Sequence, residues 1–264
     1  MKIGVIGLGV IGTATKNGFE YLGHEVIVHD IKLNTEVSIV LDTKVCFICV
    51  PTPSNLDGSC NISIVEEVVK SLIDLNYFGI IAIKSTVSPG STMDVSKKFN
   101  SSNIVFVPEF LRERCADEDF IKNQDICVLG VQDENQFEIL KEIHGDLPIY
   151  FEKATPTEAE LVKYFNNVYN ATLITFANSF GLLCDSLNVN YTNVKNIAVK
   201  RKHIYNQYLD YNEELKGFGG MCLPKDTKAL NFLSRKLDKR ITFFNDILKQ
   251  NEQFEVKVFN GMRL

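Results

Sequence analysis

The chain has 264 residues, enough at roughly 100–200 residues per domain for one large domain or two modest ones. Its 28 basic and 33 acidic residues leave a net charge of −5 with no basic block, which argues against nucleic acid as a partner. No apolar run approaches the roughly 20 residues that span a bilayer, and the glycines of MKIGVIGLGVIG make the N-terminus read as strand and turn rather than signal peptide.

Short β-branched runs alternate with helical stretches through the first half. Strands are predicted at Lys2–Ile6, Glu25–His29, Val45–Val50, Ile80–Ile83, Ile104–Val107 and Ile126–Gly130. Helices are predicted at Gly12–Leu22 and Ile64–Leu75. Alternating strand and helix implies right-handed βαβ units and a parallel sheet. The second half reads as helical. Pro156–Leu187 carries apolar residues at three- and four-residue steps, with a capping-box spacing at Thr157 and Glu160. Further helices are expected at Thr192–Ile204, Pro224–Leu237 and Ile241–Val258. The domain boundary is therefore placed at residue 150. The expected fold class is α/β: a Rossmann-like, doubly wound parallel sheet over 1–150, then an all-helical domain over 151–264.

Seven cysteines, an odd and scattered set, fit a reducing, cytoplasmic compartment. Cys46 and Cys49 have C-x-x-C spacing but lie in an apolar strand, where residues three apart face opposite ways. No metal site is expected from them, nor from the four histidines. Gly7, Gly9 and Gly12 form G-x-G-x-x-G between a strand and a helix. The first glycine permits a tight turn, the second a close approach of pyrophosphate, and the third close packing of helix on strand. The helix N-terminus then offers free N–H groups and a partial positive charge, and Val10 and Ile11 between the glycines are read with them as cofactor-binding. Asp30 ends the second strand, where a carboxylate suits the 2′-hydroxyl of NAD and repels the 2′-phosphate of NADP. Residues 217–228 read GFGGMCLPKDTK. Cys222 stands just ahead of a helix start marked by Pro224 and Asp226, with Lys225 close by. These are conditions that favour a thiolate nucleophile.

The fingerprint and the cysteine loop together resemble the UDP-glucose/GDP-mannose dehydrogenase family. The matching blocks are GLGVIG with Asp30, VPTP at 50–53, KSTVSPG at 84–90, PEFLRE at 108–113, and EAELVKYFNN at 158–167 followed by GFGGMCLPKD at 217–226. The resemblance implies NAD-dependent oxidation of the primary alcohol of a nucleotide sugar to a carboxylate, of the UDP-glucose to UDP-glucuronate type. Cys222 would trap the aldehyde as a thiohemiacetal, whose oxidation gives a thioester. Lys163 and Asn167 would stand beside the reacting centre, Lys163 facing the developing oxyanion. Asp226 and Thr86 would hold a water, and Glu109 or Glu113 would activate water for hydrolysis. Pro51, Thr52 and Thr86 match cofactor-side positions. Phe110, Leu111, Arg112, Phe218, Gly219 and Lys225 match contacts to the sugar nucleotide. The family also implies a homodimer through the helical domain.

Three departures are visible. Family members carry a further C-terminal domain for the nucleotide, which this sequence is expected to lack. Only residues 31–50 separate Asp30 from Pro51, so the first domain is expected to be pared down. His203-Ile204-Tyr205, with Arg201 upstream, stands where the family has R-I-G. Two alternatives accompany the leading reading. One is a β-hydroxyacid-type dehydrogenase that uses Lys163 and Asn167 without Cys222. The other is a non-catalytic NAD-binding remnant, or an assembly partner of a longer dehydrogenase.

Overall fold

The computed structural model describes residues 1–211 and 216–254. Its strands are Lys2–Ile6 (β1), Glu25–His29 (β2), Val45–Ile48 (β3), Ile80–Ile83 (β4), Ile104–Phe106 (β5), Ile126–Gly130 (β6) and Tyr150–Ala154 (β7). They form one sheet in the order β2-β1-β3-β4-β5-β6-β7. The first five are parallel in register, Ile3 opposite both Val26 and Val45. The all-parallel expectation needs one correction. β6 meets β5 antiparallel, through the single pair Phe106 and Gly130, and β7 then runs parallel to β6. Among these strands β7 was not predicted, because Tyr150, Glu152 and Lys153 are exposed and its sequence lacks an apolar run.

Helices α1 (Val10–Tyr21), α2 (Ser63–Asp74), α3 (Ser91–Lys98), α4 (Ala116–Ile121) and α5 (Glu134–His144) link the strands. The link from β2 to β3 contains only a 3-10 turn, Val37–Val40. β3 stops two residues earlier than expected, at Ile48, ahead of Pro51, which has no N–H for a ladder. β5 stops one earlier, at Phe106.

Strand alternation sorts the core onto the two faces of the sheet. Ile6, Cys46, Ile48, Ile81, Ile83, Ile104 and Phe106 pack with Val65, Val69 and Leu72 of α2. Ile3, Val5, Val45, Phe47, Ala82 and Val105 pack with Phe19 of α1, Phe120 of α4 and Leu140 of α5. Cys46 lies in the first cluster and Cys49 against the second, so the C-x-x-C pair is split by the sheet. Burial pushes the Cys46 thiol up and the Cys49 thiol up to about 12. No group of three His, Cys, Asp or Glu among the described residues is arranged to hold a metal ion.

The long helix α6 spans Pro156–Ser186. Its capping box is Thr155 with Glu158, rather than Thr157 with Glu160. The Thr155 backbone N–H and hydroxyl donate to Glu158 Oε2 at 2.8 and 2.7 Å, and the Glu158 N–H donates to the Thr155 hydroxyl at 3.3 Å. Pro156 then takes the first helical position, where its missing N–H costs nothing. Glu160 is fully buried elsewhere.

The described chain divides into two compact units: Met1–Pro53 with Cys60–Lys163, and Ser54–Ser59 with Tyr164 onward. The second unit holds the remainder of α6 with α7 (Tyr191–Ala198), α8 (Leu223–Leu237) and α9 (Phe243–Asn251). The predicted helix over 192–204 is shorter. Asn190 caps it by accepting from the Asn193 N–H at 2.9 Å, and it ends at Ala198, after which the Lys200 N–H turns to the Ile197 carbonyl at 3.2 Å. The predicted helix over 241–258 begins at Phe243, and its last four positions lie outside the described residues. Two small cores hold this unit: Val168, Ala171, Phe218 and Ile247, and Ala177, Cys184, Tyr191 and Leu209. No helix among the described residues is long and apolar enough to cross a membrane.

Candidate functional site

The glycine turn between β1 and α1 has three different local demands. Gly7 has φ +95°, and a Cβ there would stand 2.6 Å from the Cys49 carbonyl oxygen. A Cβ on Gly12 would stand 1.8 Å from the Gly7 carbonyl oxygen, so only glycine lets the helix start this close to the turn. Gly9 has nothing within 4 Å of such a Cβ; its backbone faces open space at the N-cap of α1. The first turn, at Val10 and Ile11, carries no acidic residue to offset the helix dipole. Asp30 closes the turn from β2. Its Oδ2 accepts from the Leu8 N–H at 2.7 Å and its Oδ1 from the Lys32 N–H at 2.8 Å. These two backbone bonds hold its carboxyl below the usual range, Leu8 contributing most. An open glycine at a helix start, with an ionised carboxylate beside it, is a donor and acceptor set that fits the pyrophosphate and ribose of NAD.

The segments after β3 and β4 are tied together. The Thr52 hydroxyl donates to the Thr86 carbonyl at 2.7 Å, and the Ser85 hydroxyl to the Val50 carbonyl at 2.7 Å. Thr52 is buried, Thr86 half-buried and Pro51 exposed. Lys84, one residue past β4, is buried with its ammonium 5.7 Å from the ring centroids of Phe47 and Phe120, and burial lowers its pKa.

The PEFLRE block is split into separate tasks. Lys163 donates from Nζ to the Glu109 carbonyl at 2.6 Å and to Glu109 Oε1 at 2.8 Å; Glu109 Oε2 accepts from the Leu111 N–H at 2.6 Å. Both side chains are more than nine-tenths buried, and the Phe110 ring centroid lies 5.7 Å from the same ammonium. Glu113 is half-buried at the start of a 3-10 turn, Glu113–Cys115. The Arg112 guanidinium forms a fork on Asp119, at 2.9 and 2.6 Å, and holds that carboxyl far below its usual range.

In the second unit, Cys222 is exposed at the N-cap of α8, with Pro224 in the first turn. Asp226 is buried and accepts from Asn167 Nδ2 at 2.6 Å and from Lys225 Nζ at 2.7 Å. Asn166 Nδ2 in turn donates to Asn167 Oδ1 at 3.0 Å, which fixes the amide's orientation. The glycine loop ahead of Cys222 turns through Gly217 and Gly220, at φ +71° and +77°. Phe218 anchors it in the core, while Gly219 is half-buried. Sequence reading missed the two asparagines that clamp this loop. Asn178 Oδ1 accepts from the Gly217 N–H at 3.0 Å. Asn251 brackets Phe218, accepting from its N–H at 2.7 Å and donating to its carbonyl at 2.9 Å. Neither asparagine had a local signal, because each acts on a loop more than thirty residues away.

Residues 32–147 match the NAD binding domain of the UDP-glucose/GDP-mannose dehydrogenase family, and residues 157–253 match its central domain. The UDP-glucose 6-dehydrogenase of Rickettsia bellii is 30% identical over 96% of this chain and 67% of its own length. The GDP-mannose 6-dehydrogenase of Pseudomonas aeruginosa is 26% identical over 98% of this chain and 70% of its own. The structure of a UDP-glucose dehydrogenase from Pyrobaculum islandicum superposes with a TM-score of 0.88 at 29% identity, covering 96% of this chain and 68% of that one. With both of the matched domains present in order, this NAD-binding chain belongs to the UDP-glucose/GDP-mannose dehydrogenase family.

Proposed function

We propose that this chain oxidises the primary alcohol of a nucleotide sugar, of the UDP-glucose or GDP-mannose class, to the carboxylate. The observation that carries the reading is Cys222: exposed, directly ahead of α8, and four residues before a buried Asp226 held by Asn167 and Lys225. An enzyme that stopped at a ketone or aldehyde would need no such thiol.

NAD, when bound at Gly7, Gly9, Gly12 and Asp30, supplies the hydride acceptor for each of the two oxidations. The chain's own groups do the rest. Cys222 Sγ adds to the aldehyde carbon as the carbonyl π bond opens, and the thiol proton passes through water to the former carbonyl oxygen. The resulting thiohemiacetal becomes a thioester on the second oxidation. Water then attacks the thioester carbon, the carbon–sulfur bond breaks, and Cys222 returns with the free carboxylate. Lys163 supplies positive charge for an oxyanion. Asp226 and Thr86 are assigned to an ordered water. Glu109 or Glu113 is assigned as the base that takes the proton from the hydrolytic water. Phe110, Leu111, Arg112, Phe218, Gly219 and Lys225 are assigned to the sugar nucleotide.

Purified protein with NAD and either UDP-glucose or GDP-mannose is expected to yield two NADH per sugar, with the uronate as product. One NADH per sugar, with aldehyde or ketone as product, would replace this reading by the β-hydroxyacid type. NAD binding without turnover on any nucleotide sugar would mark a non-catalytic partner.

The helix α6 exposes Phe165, Tyr169, Phe176, Phe180 and Leu183 at steps of three, four and seven residues. We assign this seam to a second copy of the chain, and light scattering is expected to read the mass of two chains. A single-chain mass at micromolar concentration would remove the homodimer.

A further inference from the structure

We propose that Glu160 is a positioning residue: its carboxylate fixes the turn after β4, the segment that carries Thr86, onto the stretch of α6 that carries Lys163. This rests on the nucleotide-sugar reading for its effect on rate, but its effect on the turn stands apart from that reading. The geometry is closed. Glu160 Oε2 accepts from the Gly90 N–H at 2.5 Å, and Oε1 accepts from the Thr92 N–H at 2.8 Å and the Thr92 hydroxyl at 2.6 Å. Glu160 and Thr92 are both fully buried.

A local cap is missing at this helix start. α3 begins after Gly90, which has φ +96° and no side chain to accept from the first turn. The orphan donors are therefore met by a carboxylate 70 residues away in sequence. Thr86 lies four residues before Gly90 in the KSTVSPG block, and its carbonyl is already fixed by Thr52. Lys163 lies three residues after Glu160 and is fixed by Glu109. One carboxylate thus joins two segments that are each held at their far ends.

An ordinary cap does not require a charge at this depth. Burial pushes the Glu160 carboxyl up to about 7, against the three hydrogen bonds, which favour the anion. Asp94, in the first turn of α3, raises it further. The other charged groups nearby on α6 are engaged: Glu158 by Thr155, and Lys163 by Glu109. Above pH 7 the anion accepts all three donors. Below it, the acid proton displaces one of them, and the Gly90 bond to Oε2 is the one with no second donor behind it.

For global stability the sign is opposite. A folded value near 7, against the usual 4.5, means the folded chain takes up a proton between those values. Stability from this group is present at low pH and is lost as pH rises through 7. The charged clamp is held at a cost, as expected of a group kept for geometry rather than for stability.

The test uses the full chain with Glu160→Gln and Thr92→Val. In the wild type, protection of the Gly90 amide against hydrogen exchange, corrected for intrinsic rate, is expected to fall roughly tenfold between pH 8 and pH 6 (about 1.4 kcal/mol). In Glu160→Gln it is expected to be low and flat with pH. The wild-type kcat is expected to follow the same limb, which Glu160→Gln lacks. Thr92→Val, by removing one donor to the anion, is expected to move the limb to higher pH. Protection that does not change from pH 6 to pH 8, or a wild-type kcat profile in Glu160→Gln, overturns the proposal. If no nucleotide sugar is turned over, the nucleotide-sugar reading fails by itself. The amide exchange, together with NAD affinity in Glu160→Gln, then decides: weakened NAD binding supports the positioning role, and unchanged binding reduces Glu160 to a cap.

Discussion

Cys222→Ala is expected to halt the reaction at the aldehyde, so that no uronate forms, while leaving the fold unchanged. Removing a covalent nucleophile costs on the order of 10³–10⁶ in kcat where the remaining groups still bind substrate. Cys222 is exposed at the tip of its loop, so its truncation empties no cavity, and stability is expected to move by less than about 0.5 kcal/mol. Cys222→Ser separates size from chemistry. A hydroxyl is nearly isosteric, but it is a weak nucleophile without a lowered pKa or an adjacent base. Both variants are expected to bind NAD normally and to release no uronate. The stoichiometry of NADH and the melting temperature check this together. Two NADH per sugar in Cys222→Ala would remove the covalent route altogether. The other cysteines give the contrast: Cys46 and Cys127 are buried in the sheet, and burial raises both thiols, Cys127 to about 12. A thiol reagent is therefore expected to find Cys222 well before these.

The fold was legible where burial writes a run of apolar residues. β1 to β6 each carry such a run, and β3, β4 and β5 are buried at every position. β7 was illegible because it lies at the sheet edge with its Tyr, Glu and Lys side chains exposed. α5 did carry a local signal, since Asp133 accepts from the Gln136 N–H at 2.8 Å, and Asp133-x-x-Gln136 precedes its apolar stripe. α3 carried none, because its cap is Glu160, far along the chain. At the start of α6, T-x-x-E occurs twice within the six residues 155–160. Pro156 decides between the two, because it is best placed at the first helical position, which makes Thr155 the cap. The Asp30 and glycine constellation is local and could be read from spacing. The joining of Glu109 to Lys163 spans 54 residues, and only the family resemblance had placed the two in one function.

Gly12→Ala is expected to abolish NAD binding and to destabilise the first unit, whereas Gly9→Ala is expected to affect binding alone. The alanine methyl at position 12 would meet the Gly7 carbonyl at 1.8 Å, a backbone atom that cannot rotate away. Either α1 moves off the turn or Gly7 leaves its φ of +95°, and overpacking of this kind costs about 1–3 kcal/mol or more. The Leu8 N–H that binds Asp30 moves with the turn, so the ribose and pyrophosphate positions shift together. NAD affinity is expected to fall by on the order of 10²-fold or more, about 2.7 kcal/mol. Gly9 gives the opposite geometry. Its φ of −71° suits any residue, and a methyl there meets nothing within 4 Å. The melting temperature of Gly9→Ala is therefore expected to match wild type, and any loss of NAD affinity must come from the methyl standing where the pyrophosphate approaches. Calorimetric titration with NAD and thermal unfolding of both variants separate the two causes. Wild-type affinity in Gly9→Ala would mean that the cofactor does not cross the start of α1, and the glycine turn would then be a packing device with no part in binding.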